Sequence, residues 1–451
     1  METRSDAMAE RDLDPTSTQT DSDSQAVLES PRIISDVACT MCGCVCDDLH
    51  VTVDGQRVAG FSPPCALAEP WLLGQTRADG VPARVNGQIA PSEMAIERAA
   101  EILRQSISPL VYGLSRSSTP GQRAAVRLAD RIGAYVDTTA STCHAPSILA
   151  LQVVGESTAT LGEIRDRSDL VIYWGSNPLE SHPRHMERIV EAPGTLTPAG
   201  RADRHVVVVD VERTATAEVA DTFVQVQPGG DFDLIWALRA MLRGIPIDSQ
   251  AVAGVDRDDI QRLADTLSCC RHGAVFFGLG LTRRNVPHAT VEALLRLVTD
   301  LNGHTRFVAR RMRIPGDVAG ADTVLCWQTG FPFSVSLSRG YPRYNPGEYT
   351  ANSLLERGEV DAALLVGSEG VAKLTDAARQ HLNCIPTIVL DYPEVASTLR
   401  PAVHFTTAVY GIHRSGTAYR MDEVPIPLRA VLESPLPADH EILKCIQQAI
   451  G

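Results

Sequence analysis

From about residue 95 onward, short continuous apolar runs alternate with helical stretches, and that alternation leaves few architectures open. The apolar runs are Pro109 to Gly113, Ala134 to Asp137, Asp169 to Gly175, His205 to Asp210, Gly273 to Gly278, Ala362 to Gly367 and Thr387 to Asp391. Helical periodicity covers Ala95 to Gln105, the stretch leading to Ile132, His185 to Val190, Asp233 to Leu242, Ala289 to Leu301 and Leu374 to His381. A strand that is apolar on both faces has to be covered on both, and crossover helices do this. The fold class that follows is α/β, with doubly wound, Rossmann-like parallel sheets in two halves. Several runs end in Gly, Asp or Asn-Pro, at the carboxyl edges where such sheets take up ligands.

A length of 451 residues allows about two to four lobes. Residues 1–32 are rich in Ser, Thr, Asp and Glu and poor in apolar side chains, so a disordered tail is expected there. Residues 33–75 read as a small cysteine-bearing lobe with a β-hairpin closed by Asp54-Gly55. The first α/β domain is expected to be discontinuous, over 76–140 and 316–435, with a second α/β domain, 141–315, inserted in it and a C-terminal helix over 436–451. The formal charge of −14 disfavours nucleic acid as a partner. No run approaches the roughly 20 apolar residues of a membrane helix and no signal peptide opens the chain, so a cytoplasmic protein is expected. In that reducing setting a local crowd among the eleven cysteines reads as a metal or redox site before it reads as disulfides.

That crowd is Cys39-Thr40-Met41-Cys42-Gly43-Cys44-Val45-Cys46, followed after the hairpin by Cys65. Cys39, Cys42 and Cys46 can point three thiolates at one centre, and Cys65 can complete the shell. The spacing favours a four-iron, four-sulfide cluster; zinc and unligated thiols are the alternatives, and Cys44 is left over. A second feature is Cys143-His144, directly after the run ending in Asp137. It could be a soft metal ligand beside a proton carrier, or a buried structural cysteine.

Cys143-His144, Tyr173-Trp174-Gly175-Ser176-Asn177-Pro178, Val209-Asp210-Val211-Glu212-Arg213, Ala220-Asp221 and Gln227-Pro228-Gly229-Gly230-Asp231 follow the cysteine cluster in a fixed order. That order resembles the molybdopterin oxidoreductase superfamily, which includes formate dehydrogenases. His182-Pro183-Arg184-His185-Met186, Trp327-Gln328-Thr329-Gly330, Pro342 to Glu348 and Gly416 to Asp422 narrow the resemblance to the B subunit of formylmethanofuran dehydrogenase. The match runs from about Ile33 to the C-terminus.

The resemblance implies a bis-molybdopterin (or tungstopterin) guanine dinucleotide cofactor with Cys143 as the protein's ligand to molybdenum or tungsten, and one 4Fe-4S cluster on Cys39, Cys42, Cys46 and Cys65. His144 and Arg313 match the pair that moves a proton and holds the substrate carboxylate. Read without the resemblance, Arg313 belongs to a basic surface run with Arg310 and Arg311. Gly175, Ser176 and Asn177 correspond to a pyrophosphate loop, Asp210 to a ribose or guanine acceptor, and Gly230-Asp231 to a guanine-recognition turn. The implied activity is interconversion of formate and carbon dioxide in tetrahydromethanopterin-linked one-carbon metabolism. The implied partners are the other members of the complex, namely an amidohydrolase-like A subunit, a C subunit, and a β-barrel protein or formyltransferase as the D subunit, together with a small-molecule substrate. A second function class is a non-redox scaffold in the related bacterial formyltransferase/hydrolase complex. Two local departures stand out: Ala66-Leu67-Ala68-Glu69 follows Cys65 where the superfamily has a basic residue and glycine, and Ile314-Pro315 follows Arg313.

Overall fold

The computed structural model describes residues 30–282, 286–314, 316–393, 395 and 398–451. The tail expected over 1–32 therefore lies outside the described residues except at its end, where Arg32 already opens a strand. Strands β1 (Arg32–Val37), β2 (Leu49–Asp54) and β3 (Arg57–Ser62) form an antiparallel sheet in that order. Leu49, Val51 and Val53 are buried while the residues between them are more exposed, the two-residue period of a half-covered strand. The hairpin turns at Gly55, whose φ of +56° suits a residue without a side chain.

After helix α1 (Ser92–Gln105) come β4 (Pro109–Gly113), α2 (Thr119–Ile132) and β5 (Tyr135–Thr138). The chain then builds a second sheet from β6 (Leu170–Trp174), β7 (His205–Asp210), β8 (Thr222–Gln225), β9 (His272–Phe277) and β10 (Arg306–Arg311). All its pairings are parallel, in the order β8-β7-β6-β9-β10. It returns to the first sheet through β11 (Ala362–Val366), β12 (Thr387–Asp391) and β13 (Val403–Thr406). The middle of that sheet runs β5-β4-β11-β12-β13, all parallel. Its margins depart from the expected parallel arrangement: Val335–Ser336 lies antiparallel to β5 and Ala83–Val85 antiparallel to β13. Antiparallel strands need no crossover helix, so short segments can close an edge this way.

Burial explains why these runs read as continuous apolar strands. Val171, Tyr173, Val206, Val208, Ala274 and Phe276 belong to one core, and Ile172, Trp174, Val207, Val209, Val275 and Phe277 to another, so both faces of the second sheet are covered. The first of these cores also contains Val37, Cys39, Leu49 and Val51, so the cysteine lobe packs directly on that face. The helix expected at His185 to Val190 is a π-helical segment, Met186–Glu191, and the one expected at Leu374 to His381 is Asp376–Leu382, capped by the Thr375 hydroxyl. Several strands went unrecognised in the sequence, β1, β8, β10 and β13 among them. β10 hides behind Arg306, Arg310 and Arg311, and β8 is a short edge strand with only Val224 fully buried. Among the described residues no helix is long and apolar enough to cross a membrane.

Candidate active site

Counted in chain order, the second sheet has the strand order 3-2-1-4-5, so successive connections leave β6 and β9 toward opposite sides. An open parallel sheet forms its ligand crevice between two such strands. The loops that meet there are Gly175-Ser176-Asn177 and Gly278-Leu279-Gly280. The Gly175 N–H donates to the Val209 carbonyl, the Gly278 N–H to that of Trp174 and the Gly280 N–H to that of Gly175, at 2.9, 3.2 and 3.1 Å. A Cβ on Gly278 would lie 2.6 Å from the Gly175 oxygen, and one on Gly280 2.6 Å from the Gly175 Cα. Only glycine lets the two loops approach this closely. Gly278→Ala is therefore expected to displace the Gly175 loop at a cost of about 1–3 kcal/mol. A melting temperature equal to wild type would show that the loops can separate freely.

The other residues singled out at this edge divide into engaged and open groups. Asn177 Oδ1 accepts from the backbone N–H and hydroxyl of Thr216 at 3.2 and 2.7 Å. Asp231 is buried, with Oδ1 accepting the Trp174 indole N–H at 2.9 Å. Both shape the edge through bonds within the protein. Asp210 is half-buried and spends one oxygen on the Val211 N–H at 2.7 Å. Burial, reinforced by the nearby Asp231, pushes its carboxyl up. Gly230 is needed sterically, since a Cβ there would lie 2.4 Å from that of Ala253.

Cys143 and His144 follow β5 at the carboxyl edge of the first sheet, between a turn over Thr139–Thr142 and helix α3 (Ala145–Val154). His144 Nε2 lies 2.6 Å from Asp322 Oδ2, and the Thr138 hydroxyl donates to Asp322 Oδ1 at 2.9 Å. Arg313, two residues beyond β10, brings Nη1 to 3.8 Å from the same Asp322 oxygen and Nη2 to 3.5 Å from Glu423. Both are longer than hydrogen bonds, so the fork is held loosely. The reading of Arg310, Arg311 and Arg313 as a basic surface is overturned: they are 2%, 7% and 5% exposed. Glu423 meets Arg310 at 2.6 Å and Glu156 meets Arg311 at 3.1 Å, and these carboxylates make burial of the cluster tolerable.

Burial pushes the Cys143 thiol up against the opposing pull of Lys373 and Arg313. It pushes the His144 imidazole down, opposed by Asp322. Burial, with Arg311 nearby, brings Arg313 down to about 10. His144 Nδ1 and Arg313 Nε are buried without a hydrogen-bond partner.

Cys39, Cys42, Cys44, Cys46 and Cys65 line one cavity together with Arg184. The loop closes on itself through the Cys39 N–H to the Cys46 carbonyl, 2.8 Å. Among the described residues no group of three or more His, Cys, Asp or Glu is spaced for a single metal ion, whose sulfur ligands would lie roughly 4 Å apart. Asp48 takes a two-pronged bond from Arg184, at 2.7 and 2.8 Å, and Asp47 one from Arg188, at 2.7 Å, tying the cysteine loop to the segment after β6. A hydrogen bond from the Cys44 thiol and the charges of Arg188 and Arg184 bring Cys46 down to about 7, while burial and the neighbouring Cys42 push Cys39 up. Cys44, left over in the sequence, lines the same cavity. The loop also reaches the other site, because the Gly43 N–H and His182 Nε2 both lie 3.0 Å from the Arg313 carbonyl oxygen.

Sequence reasoning missed four participants. Gly278 and Gly280 were legible as Gly-x-Gly after an apolar run. Asp322 stands 178 residues from its histidine, on helix α4 (Val318–Thr329), and Glu423 sits in a turn; neither carries a local pattern.

No protein-family model matches the chain. Its sequence is 40% identical over 426 residues to the B subunit of the tungsten-containing formylmethanofuran dehydrogenase 2 of Methanocaldococcus jannaschii, covering 92% of this chain and 98% of that one. The corresponding protein of Methanococcus maripaludis is 38% identical over 92% and 98%. The B subunit of the formyltransferase/hydrolase complex of Methylorubrum extorquens is 26% identical over 63% of this chain and 74% of its own. The fold is shared with the solved formyltransferase/hydrolase complex from Methylorubrum extorquens in complex with methylofuran, at a TM-score of 0.69, 24% identity and coverage of 82% and 98%. It is shared also with acetylene hydratase from Pelobacter acetylenicus, at 0.66, 14%, and coverage of 93% and 69%. The chain belongs to the family of formylmethanofuran dehydrogenase B subunits.

Proposed function

We propose that this chain is the redox-active subunit of a formylmethanofuran dehydrogenase complex, interconverting formate and carbon dioxide at a tungsten or molybdenum bis-pterin site in tetrahydromethanopterin-linked one-carbon metabolism. The observation that carries this reading is the convergence of His144, the chain neighbour of Cys143, with Asp322 and Arg313, from three separate stretches of chain, on one buried cluster with unpartnered Nδ1 and Nε atoms. The residues fit such a cofactor. Cys143 offers a soft donor, the glycine loops at 175 and 278–280 meet at the crevice without side chains of their own, and the five-cysteine cavity offers thiolates for a cluster whose separate irons spread their ligands wider than one ion does. Cys143 would hold the metal, Gly175 and Ser176 the pyrophosphate, and the free oxygens of Asp210 and Asp231 a ribose or base. Cys39, Cys42, Cys46 and Cys65 would hold the 4Fe-4S cluster. When bound, the metal with its pterins supplies a two-electron couple and the cluster a one-electron path from it.

The chain's own residues do the rest. Oxidising formate releases carbon dioxide, two electrons and one proton. Arg313 would fix the carboxylate by its guanidinium, and His144 would take the proton at Nδ1, its free nitrogen. The relatives named as tungsten-containing favour tungsten. The likeness to the formyltransferase/hydrolase complex supports a second reading, a scaffold without redox chemistry, but at lower identity and coverage. The partners proposed are an amidohydrolase-like A subunit, a C subunit, and a β-barrel protein or formyltransferase as the D subunit.

The test is elemental and kinetic. Anaerobically purified complex is expected to contain tungsten or molybdenum, about four irons and four acid-labile sulfides per chain beyond those of its partners, and to reduce a viologen dye with formate. Cys42→Ala is expected to remove those irons and loosen the β1–β3 lobe while the α/β sheets stay folded. Zinc in place of iron would refute the cluster. A complex holding neither tungsten nor molybdenum and inert to formate would promote the scaffold.

A further inference from the structure

We infer that Asp322 is the positioning residue of this site, holding the His144 ring by Nε2 so that Nδ1 is the nitrogen offered to the reactant, and steadying the inner end of Arg313. The inference rests on the functional reading above and names a residue that the sequence motifs do not contain.

Three side chains meet on this one carboxylate. Oδ1 receives the Thr138 hydroxyl from the end of β5 at 2.9 Å, and Oδ2 faces His144 Nε2 at 2.6 Å and Arg313 Nη1 at 3.8 Å. Its own position is secured one turn back on α4, where Asp317 caps the helix by accepting the Gly320 N–H at 3.0 Å. Asp317 is itself held by Gln122 Nε2 at 2.9 Å and the Tyr419 N–H at 2.6 Å. A side chain supported in this way keeps the groups it touches within a narrow range of orientations. With Nε2 engaged, the ring can meet a reactant only through Nδ1, whichever charge it carries.

The alternative is an ordinary buried His–Asp pair that merely fills the core. Two observations weigh against it. Nδ1 is buried with no partner, a costly state for a polar atom unless something is brought to it. The same carboxylate also serves Arg313, whose Nε is likewise without a partner. A purely structural pair would have no reason to leave both unpartnered atoms around one aspartate.

The experiment uses the assembled complex. Asp322→Ala is expected to lower kcat for formate-dependent viologen reduction by about 10- to 100-fold at normal tungsten and iron content. In the double variant with His144→Ala the loss should fall well short of the product of the two single losses, because the aspartate acts mainly through the histidine and only its looser hold on Arg313 adds to it. A cryo-EM map of the Asp322→Ala complex should show the His144 ring turned or smeared, with the cysteine loop in place. Wild-type kcat, losses that multiply, or an unmoved ring would each overturn the inference. If Asp322→Ala fails to fold, Asp322→Asn keeps the size and a hydrogen-bonding oxygen. It should hold the ring in the map and keep most of the activity, and a wild-type ring with a 10- to 100-fold loss would show that orientation is not what Asp322 supplies. Should the wild-type complex hold neither tungsten nor molybdenum, the functional reading fails, while the ring position still decides the role of Asp322.

Discussion

Replacing Cys143 by serine is expected to reduce formate oxidation by the complex on the order of 10³-fold or more, equivalent to at least about 4 kcal/mol of barrier. A thiolate is a soft donor and can be held ionised by nearby cations, whereas a serine hydroxyl is hard and stays protonated at neutral pH. Lys373 and Arg313 favour the Cys143 thiolate, against burial and the Asp322 carboxylate, which together push the thiol up. The substitution removes one sulfur and adds a smaller oxygen, so the turn over Thr139–Thr142 and helix α3, closed by backbone bonds from Cys143 and His144 to Ala140, should stay intact. Melting temperature and complex assembly are therefore expected to match wild type while dye reduction drops. Full activity in Cys143→Ser would sink the assignment of Cys143 as the protein ligand, and equal loss of activity and assembly would make it a structural cysteine.

How much of this was legible in the sequence depended on how local the cause was. The strands around Val171 and Val207 announced themselves, because burial on both faces forces an unbroken apolar run. The gathering of cysteines was legible because four of the five that line the cavity lie within eight residues. β10 did not, because its arginines are buried by acids contributed from Glu156 and Glu423, far along the chain. The same distance hid Asp322. Asp231, expected at a guanine, has one oxygen committed to the Trp174 indole, a bond that no spacing of residues reveals. Helix edges and apolar periods are written in neighbouring residues; partners of buried charges are chosen by the fold.

Arg313 shows what the buried partners are for. It is a cation enclosed in the core, with Asp322 and Glu423 near the two ends of its fork but outside hydrogen-bond range. Held this way, the guanidinium keeps its charge and still has donors to turn toward a carboxylate, with two parallel N–H groups matching two oxygens. Lysine in its place offers a point charge without that geometry. Arg313→Lys is expected to lower kcat/KM for formate on the order of 10²-fold, the penalty for displacing a reactant by about an ångström. The effect should also depend on pH. The same burial and neighbouring Arg311 that bring Arg313 down to about 10 would bring a lysine there below its usual value, toward neutrality. The variant should therefore lose further activity as pH rises from 7 to 9, where wild-type Arg313 remains charged. Metal and iron content should be unchanged. An Arg313→Lys complex as active as wild type, or one whose loss only follows missing cofactor, would show that Arg313 serves the buried ion network with Glu423 and Glu156 and does not hold the substrate.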